Sequence, residues 1–140
     1  MTTQRETALR FLEAMGAGDA KTAAECLAPG AITMARNFSN FSGVHDREEI
    51  VSMIANFRAL MPSGLHFNII SVIADGDRVA VECDGDAVTS AGSPYRNQYC
   101  FVMRFAGDRI KEIHEYFCSK RAEDVLWPLV EAMTASQSVA

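Results

Sequence analysis

From Leu65 to Cys118 the chain alternates with a period of two, and short turn sequences interrupt it. Asp75-Gly76 is a strong hairpin signal, because glycine reaches positive φ freely there. "SAGSP" (90–94) and Gly107-Asp108 supply the other two reversals. This pattern predicts four consecutive antiparallel strands, about 65–74, 77–90, 94–106 and 109–118. A single meander of that size exposes two faces, so the remaining apolar segments must be helices that cover one of them.

The turns set the expected pairing. With Gly107-Asp108 as a two-residue turn, Phe101 opposes His114 and Tyr99 opposes Tyr116. With Asp75-Gly76, Phe67 opposes Asp84 and Ile69 opposes Glu82. One face is then expected to carry Phe67, Glu82, Asp84, Asn97, Tyr99, Phe101, His114, Tyr116 and Cys118. The other carries Val79, Val81, Cys83, Cys100, Val102, Ile113, Glu115 and Phe117. A single bulge would invert part of a strand.

The first 61 residues read as helices. Thr3 and Glu6 have capping-box spacing, and Ala8, Leu9, Phe11, Leu12 and Met15 follow at helical intervals. Gly16 and Gly18 end that helix, 3–16. Asp19 caps a short second one, 20–27, which Pro29 ends. "GAITMARNFSNFSG" reads as an extended stretch and a loop. Asp46 and Glu49 form a second capping box ahead of a third helix, 46–61, with Ile50, Met53, Ile54, Phe57 and Met61 on one side. After the meander, Ser119 can cap a last helix, which Pro128 should kink or split.

A chain of 140 residues with 49% apolar and 22% charged residues is expected to form one globular domain, 1–140. The net charge of −5, with no basic run, argues against nucleic acid as a partner. The apolar runs fall short of a membrane span, and the N-terminus lacks a signal-peptide core, so a cytoplasmic protein is expected. Four dispersed cysteines without a CxxC fit free thiols in a reducing compartment. Three dispersed histidines without HxH or HExxH spacing give no metal site, and no cofactor is expected.

"RFLEAMGAGD" (10–19), "GDRVAVE" (76–82), "YRNQYCFVMRF" (95–105) and "GDRIKEIHEYF" (107–117) together resemble the SnoaL-like branch of the nuclear transport factor 2-like superfamily. That superfamily includes polyketide cyclase-like proteins, ketosteroid isomerase and limonene-epoxide hydrolase. The resemblance covers nearly the whole chain. It implies an α+β, cystatin-like cone, in which a curved antiparallel sheet wraps around the N-terminal helices and encloses a pocket. Relatives typically end the last strand in tyrosine–phenylalanine–aspartate, and the aspartate is the acid or base; here Cys118 follows Tyr116-Phe117. Of the arginine and aspartate that epoxide hydrolases place two apart, only Asp84 matches, with Glu82 in the arginine's place. Ketosteroid isomerase has a tyrosine where this chain has Phe11, and no carboxylate stands near Met34–Arg36.

These comparisons and the expected faces make Asp84 and His114 the candidate acid–base residues. Each also has a plainer reading, Asp84 as a solvated or paired acid and His114 as a pocket-wall histidine. Glu82, Tyr99, Phe101, Tyr116, Cys118, Phe57 and Met15 are the expected substrate-binding residues. The expected ligand is a small, mostly apolar molecule, and the chemistry cofactor-free isomerisation, cyclisation or hydration. A non-catalytic binding or interaction module that has lost the family's acid is the alternative. Glu115 and Arg104 are expected as an exterior pair. The outer sheet face has an apolar centre and no helix left to cover it, so a homodimer through that face is expected.

Overall fold

The computed structural model describes residues 3–138. Local sequence accounts for most element boundaries. Helix α1, Gln4–Ala17, starts at a complete capping box in which Thr3 and Glu6 satisfy each other's backbone amides. It ends at Gly18, whose φ of 71° closes the last turn. Gly16, expected as part of the stop, is instead the last buried contact of the helix. Asp19 caps α2, Ala20–Cys26, through Thr22 N–H. Asp46 and Glu49 form the second capping box at α3, Arg47–Ala55. The expected helix 46–61 breaks at Asn56, and a single turn, α4, follows at Phe57–Leu60. At the C-terminal end, α5, Ser119–Val125, and α6, Trp127–Ser138, are separated at Leu126. Pro128 stands in the first turn of α6, where its missing N–H costs nothing. Cys118, rather than Ser119, holds the N-cap position of α5.

Six strands form one curved, open sheet in the order β2-β1-β6-β5-β4-β3. The four expected strands are β3, His66–Asp75, β4, Arg78–Val88, β5, Pro94–Ala106, and β6, Arg109–Phe117. The stretch read as extended chain and loop adds β1, Leu27–Ala35, and β2, Gly43–Asp46. β1 runs parallel to β6, and every other pairing is antiparallel. Pro29 sits between the paired residues Leu27 and Ile32, where no ladder bond is required of it.

Two departures from the expected pairing invert most of the face assignment. The first hairpin turns at Gly76-Asp77, so Asp75 opposes Arg78. A bulge at Ile70 then places Phe67 opposite Gly85 and Asn68 opposite Asp84. The last hairpin does turn at Gly107-Asp108, with Ala106 opposite Arg109. Ile110 then pairs with Phe105 and Glu112 with Arg104, which leaves Lys111 as an extra residue. Beyond it, Phe101 opposes Glu115 and Val102 opposes His114. The inward residues are therefore Val79, Val81, Cys83, Gly85 and Ala87 on β4, and Ile113, Glu115 and Phe117 on β6. The expectation for β5 holds, with Tyr95, Asn97, Tyr99, Phe101, Met103 and Phe105 all buried.

The core lies between this concave face and the helices. Phe11 and Leu12 of α1, Ile50 and Ile54 of α3, and Met61 pack with Val79, Val81, Phe101, Met103 and Ile110, all at most 5% exposed. Gly16 permits a close crossing there: Leu65 N–H donates to its carbonyl at 2.8 Å, and a Cβ on Gly16 would lie 2.1 Å from the Leu65 oxygen. No helix among the described residues is long and apolar enough to cross a membrane.

Candidate functional site

The concave face is not filled at the end of the sheet near β2 and the C-terminal helices. A pocket of about 540 Å³ remains, within the range of small-molecule sites. Met15 and Phe57 come to it from the helices, Phe67, Tyr95, Tyr99 and Phe117 from the sheet, and Trp127 and Met133 from α6. The loop before β2 closes part of the wall. Asn40 donates from its backbone N–H and its side chain to the Glu123 carboxylate, at 2.5 and 3.0 Å. Phe41 meets Trp127 edge to face, with ring centroids 5.5 Å apart.

Among the described residues, Glu115 is the single carboxylate of that lining, and no Lys or Arg belongs to it. Its strand is enclosed on both sides, with Ala35 of β1 and Phe101 of β5 as its neighbours. Burial pushes its carboxyl up to about 7, against a weaker opposite pull from His45. At neutral pH the group therefore exists as both acid and base, the condition for proton transfer in either direction. His45 also lines the pocket, from β2 opposite Thr33. Its Nδ1 lies 3.2 Å from Glu49 Oε2, while Glu49 Oε1 accepts the Asp46 N–H at 3.2 Å. The capping box of α3 thus also orients the imidazole.

A hydrogen-bonded aromatic wall completes the site. The Tyr95 and Tyr99 hydroxyls are 2.7 Å apart, and Asn97 Nδ2 donates to Tyr95 at 2.7 Å. Tyr99 stacks on Phe101 at a centroid distance of 5.6 Å and meets Phe67 edge to face at 5.4 Å.

Of the expected substrate-binding residues, Met15, Phe57 and Tyr99 line this pocket. Phe101 lies behind Tyr99 in the core, 1% exposed. The others stand on the opposite face of the sheet. Glu82 is exposed there and accepts a hydrogen bond from Ser71 Oγ at 3.1 Å. Tyr116 is 40% exposed. His114 Nε2 lies 2.5 Å from Glu112 Oε1, away from the pocket. Asp84 and Cys118 border a separate polar groove with His66, Asp86, Arg96 and Arg121. Asp84 neighbours Gln98 and His114 neighbours Val102, four residues farther along β5, or roughly 13 Å. The two expected acid–base residues therefore do not converge. Nor does the exterior Glu115–Arg104 pair form, since Arg104 opposes Glu112.

Glu115 and His45 were the functional candidates that turn-based pairing missed. A signal for Glu115 exists in the sequence: Ile113 and Phe117 flank it at two-residue spacing, whereas Glu112, His114 and Tyr116 form the more polar set. On β4 the contrast is plainer still, between Val79, Val81, Cys83 and Arg78, Glu82, Asp84. Nothing local marks His45.

Residues 8–113 match the family model described as the SnoaL-like domain, about three-quarters of the chain. The chain belongs to the SnoaL-like family. Solved structures agree on the fold of this SnoaL-like chain. An NTF2-like protein of unknown function from Burkholderia pseudomallei superposes with a TM-score of 0.76 at 17% identity, over 91% of this chain and 99% of that one. A putative isomerase from Bacillus subtilis gives 0.72 at 20% identity, over 87% and 91%. A protein from Catenulispora acidiphila with a ketosteroid isomerase-like fold, solved with trimethylamine, gives 0.74 at 16% identity, over 89% and 94%. No curated protein matches the sequence. The SnoaL-like chain thus has an NTF2-like α+β fold, and Glu115 lies two residues beyond the matched segment.

Proposed function

We propose that the SnoaL-like chain binds a small, mostly apolar molecule in its concave pocket, and that Glu115 exchanges a proton with it. The carrying observation is one carboxyl, pushed up to about 7 by burial, among aromatic and aliphatic walls that contain no Lys or Arg among the described residues. Isomerisation, cyclisation or hydration without a cofactor would each use such a group, as base in one step and acid in the next. His45, oriented by Glu49, is the second proton-transfer group within the same walls. Tyr95 and Tyr99 offer hydroxyls that can orient a carbonyl or alcohol of the ligand.

The test is turnover on a metabolite panel by the parent protein, Glu115→Gln and His114→Ala. Loss of turnover in Glu115→Gln alone supports the assignment. Full activity in Glu115→Gln refutes it. A purely binding role is the second reading, favoured by Cys118, which stands where the resemblance expects an aspartate and which faces the outer groove. Ligand binding without turnover by any variant would support that reading.

We also propose a homodimer through the outer sheet face, where Ile70 and Ile73 are 55% and 65% exposed. A cytoplasmic location is part of the same proposal, and it fits four cysteines that are all free.

A further inference from the structure

The proposed pocket has a charge problem that a ligand could solve. Glu115 sits among Phe41, Phe57, Phe67, Tyr99, Phe117 and Trp127, with Met side chains filling the gaps. Glu115 is part-buried in mostly apolar walls that hold no Lys or Arg among the described residues, so its ionised form is costly until a cation is supplied. The groups that face it are His45 from β2 and the phenols of Tyr95 and Tyr99 from β5, and among the described residues α1, α3, α4 and α6 add no charged group to the lining. His45 is a weak counter-charge, because its Nδ1 is already turned to Glu49 at 3.2 Å. Aromatic rings present negative faces to a cation, and thioethers are polarisable, so the walls that penalise an anion favour a positive guest. A net charge of −5 on the chain adds to this preference.

We infer that the pocket selects an organic cation: a small amine or quaternary ammonium whose apolar substituents fill the aromatic walls and whose charge rests beside Glu115. This rests on the reading of the pocket as a binding site, and it narrows the substrate class of that same site. A neutral apolar molecule would occupy the walls but leave Glu115 protonated. A cation would draw Glu115 into its ionised form, so binding the cation would release a proton around neutral pH.

The probes are benzyltrimethylammonium, which has no proton to lose, and its neutral carbon isostere 2,2-dimethylpropylbenzene. A carboxyl with a pKa of about 7 is roughly one-tenth ionised at pH 6 and nine-tenths at pH 8, so affinity for the cation should rise about tenfold across that interval. Affinity for the isostere should stay level or fall. Glu115→Gln should abolish the rise and weaken the cation at pH 8 by at least about tenfold, far more than it changes affinity for the isostere. A rise that persists in Glu115→Gln overturns the inference. Should that variant not fold, the parent protein decides: at pH 8 the cation must bind more tightly than the isostere. Tight binding of the isostere with none of the cation overturns the cation preference and leaves the binding site standing. Binding of neither, by protein of native circular dichroism, overturns both.

Discussion

The hydroxyl of Tyr95 lies 2.7 Å from that of Tyr99 inside the pocket wall, and Asn97 holds the pair in place. Asn97 Nδ2 also donates to the Cys118 carbonyl at 3.0 Å, and its Oδ1 accepts the Cys118 N–H at 3.1 Å. One buried amide therefore ties β5 to the end of β6 and positions both phenols. Burial pushes both phenols above the ordinary tyrosine range, so they act as neutral hydroxyls.

Asn97→Ala should accordingly cost about 2–4 kcal/mol, because the Cys118 backbone groups and the Tyr95 hydroxyl all lose a partner. Tyr99→Phe should cost only about 1 kcal/mol, since Tyr95 keeps its bond to Asn97. Urea unfolding of the two variants checks the order; equal costs would mean that Asn97 is not the tie between the strands.

Glu115 should make stability depend on pH. Its folded value, about 7, lies above its ordinary value of 4.5. Below about pH 4.5 it is protonated folded and unfolded, and its favourable contribution is complete. Between 4.5 and 7 the unfolded chain loses the proton first, so stability falls as pH rises, by roughly 3 kcal/mol in all, and levels off above 7. Glu115→Gln should remove that decline. Thermal melts of parent and variant from pH 4.5 to 8 measure it, and parallel curves would show that the carboxyl is better solvated than its surroundings imply.

Gly85 gives the Tyr99 ring its place. A Cβ there would stand 2.7 Å from Tyr99 Cε2 and 3.1 Å from Leu65 Cδ1. Gly85→Ala should push the ring toward the pocket, cost about 1–3 kcal/mol, and weaken any ligand that touches Tyr99. Near-ultraviolet circular dichroism and denaturation together report both effects; unchanged stability would mean that the ring yields freely.

Val81 and Val102 should behave differently when charged. Val81 is fully buried against the helices, so Val81→Lys should unfold the chain through an unpaired buried charge. Val102 lies on the outer face beside Ala80 and His114, so Val102→Glu should leave the fold intact and dissociate the proposed dimer. Circular dichroism of Val81→Lys and sedimentation of Val102→Glu distinguish them, and a Val102→Glu protein that stays dimeric would place the interface elsewhere.

The sequence by itself determined α1, α2, the start of α3 and the four meander strands, but not β1 and β2, the break at Asn56 or the cap at Cys118. Thr3 with Glu6, Asp46 with Glu49, Gly18 and the Gly107-Asp108 turn are local signals, each satisfied within a few residues, and each falls where it was read. The family was legible for the same reason, through motifs that each lie within one helix end or one strand and its turn. The wall residues Met15, Phe57 and Tyr99 were legible too, from helical spacing and from a β5 strand without a bulge. The sequence also separated each strand into two sets of side chains, but a period of two does not say which set points inward. That was decided by the extra residues Ile70 and Lys111 and by the packing of Phe11, Leu12 and Ile54 against the apolar set. One inserted residue exchanges the faces of everything beyond it, so Glu115 came inside and His114 went out. His45 reached the pocket through a strand pairing with Thr33, in a stretch that local sequence reads only as extended chain and loop.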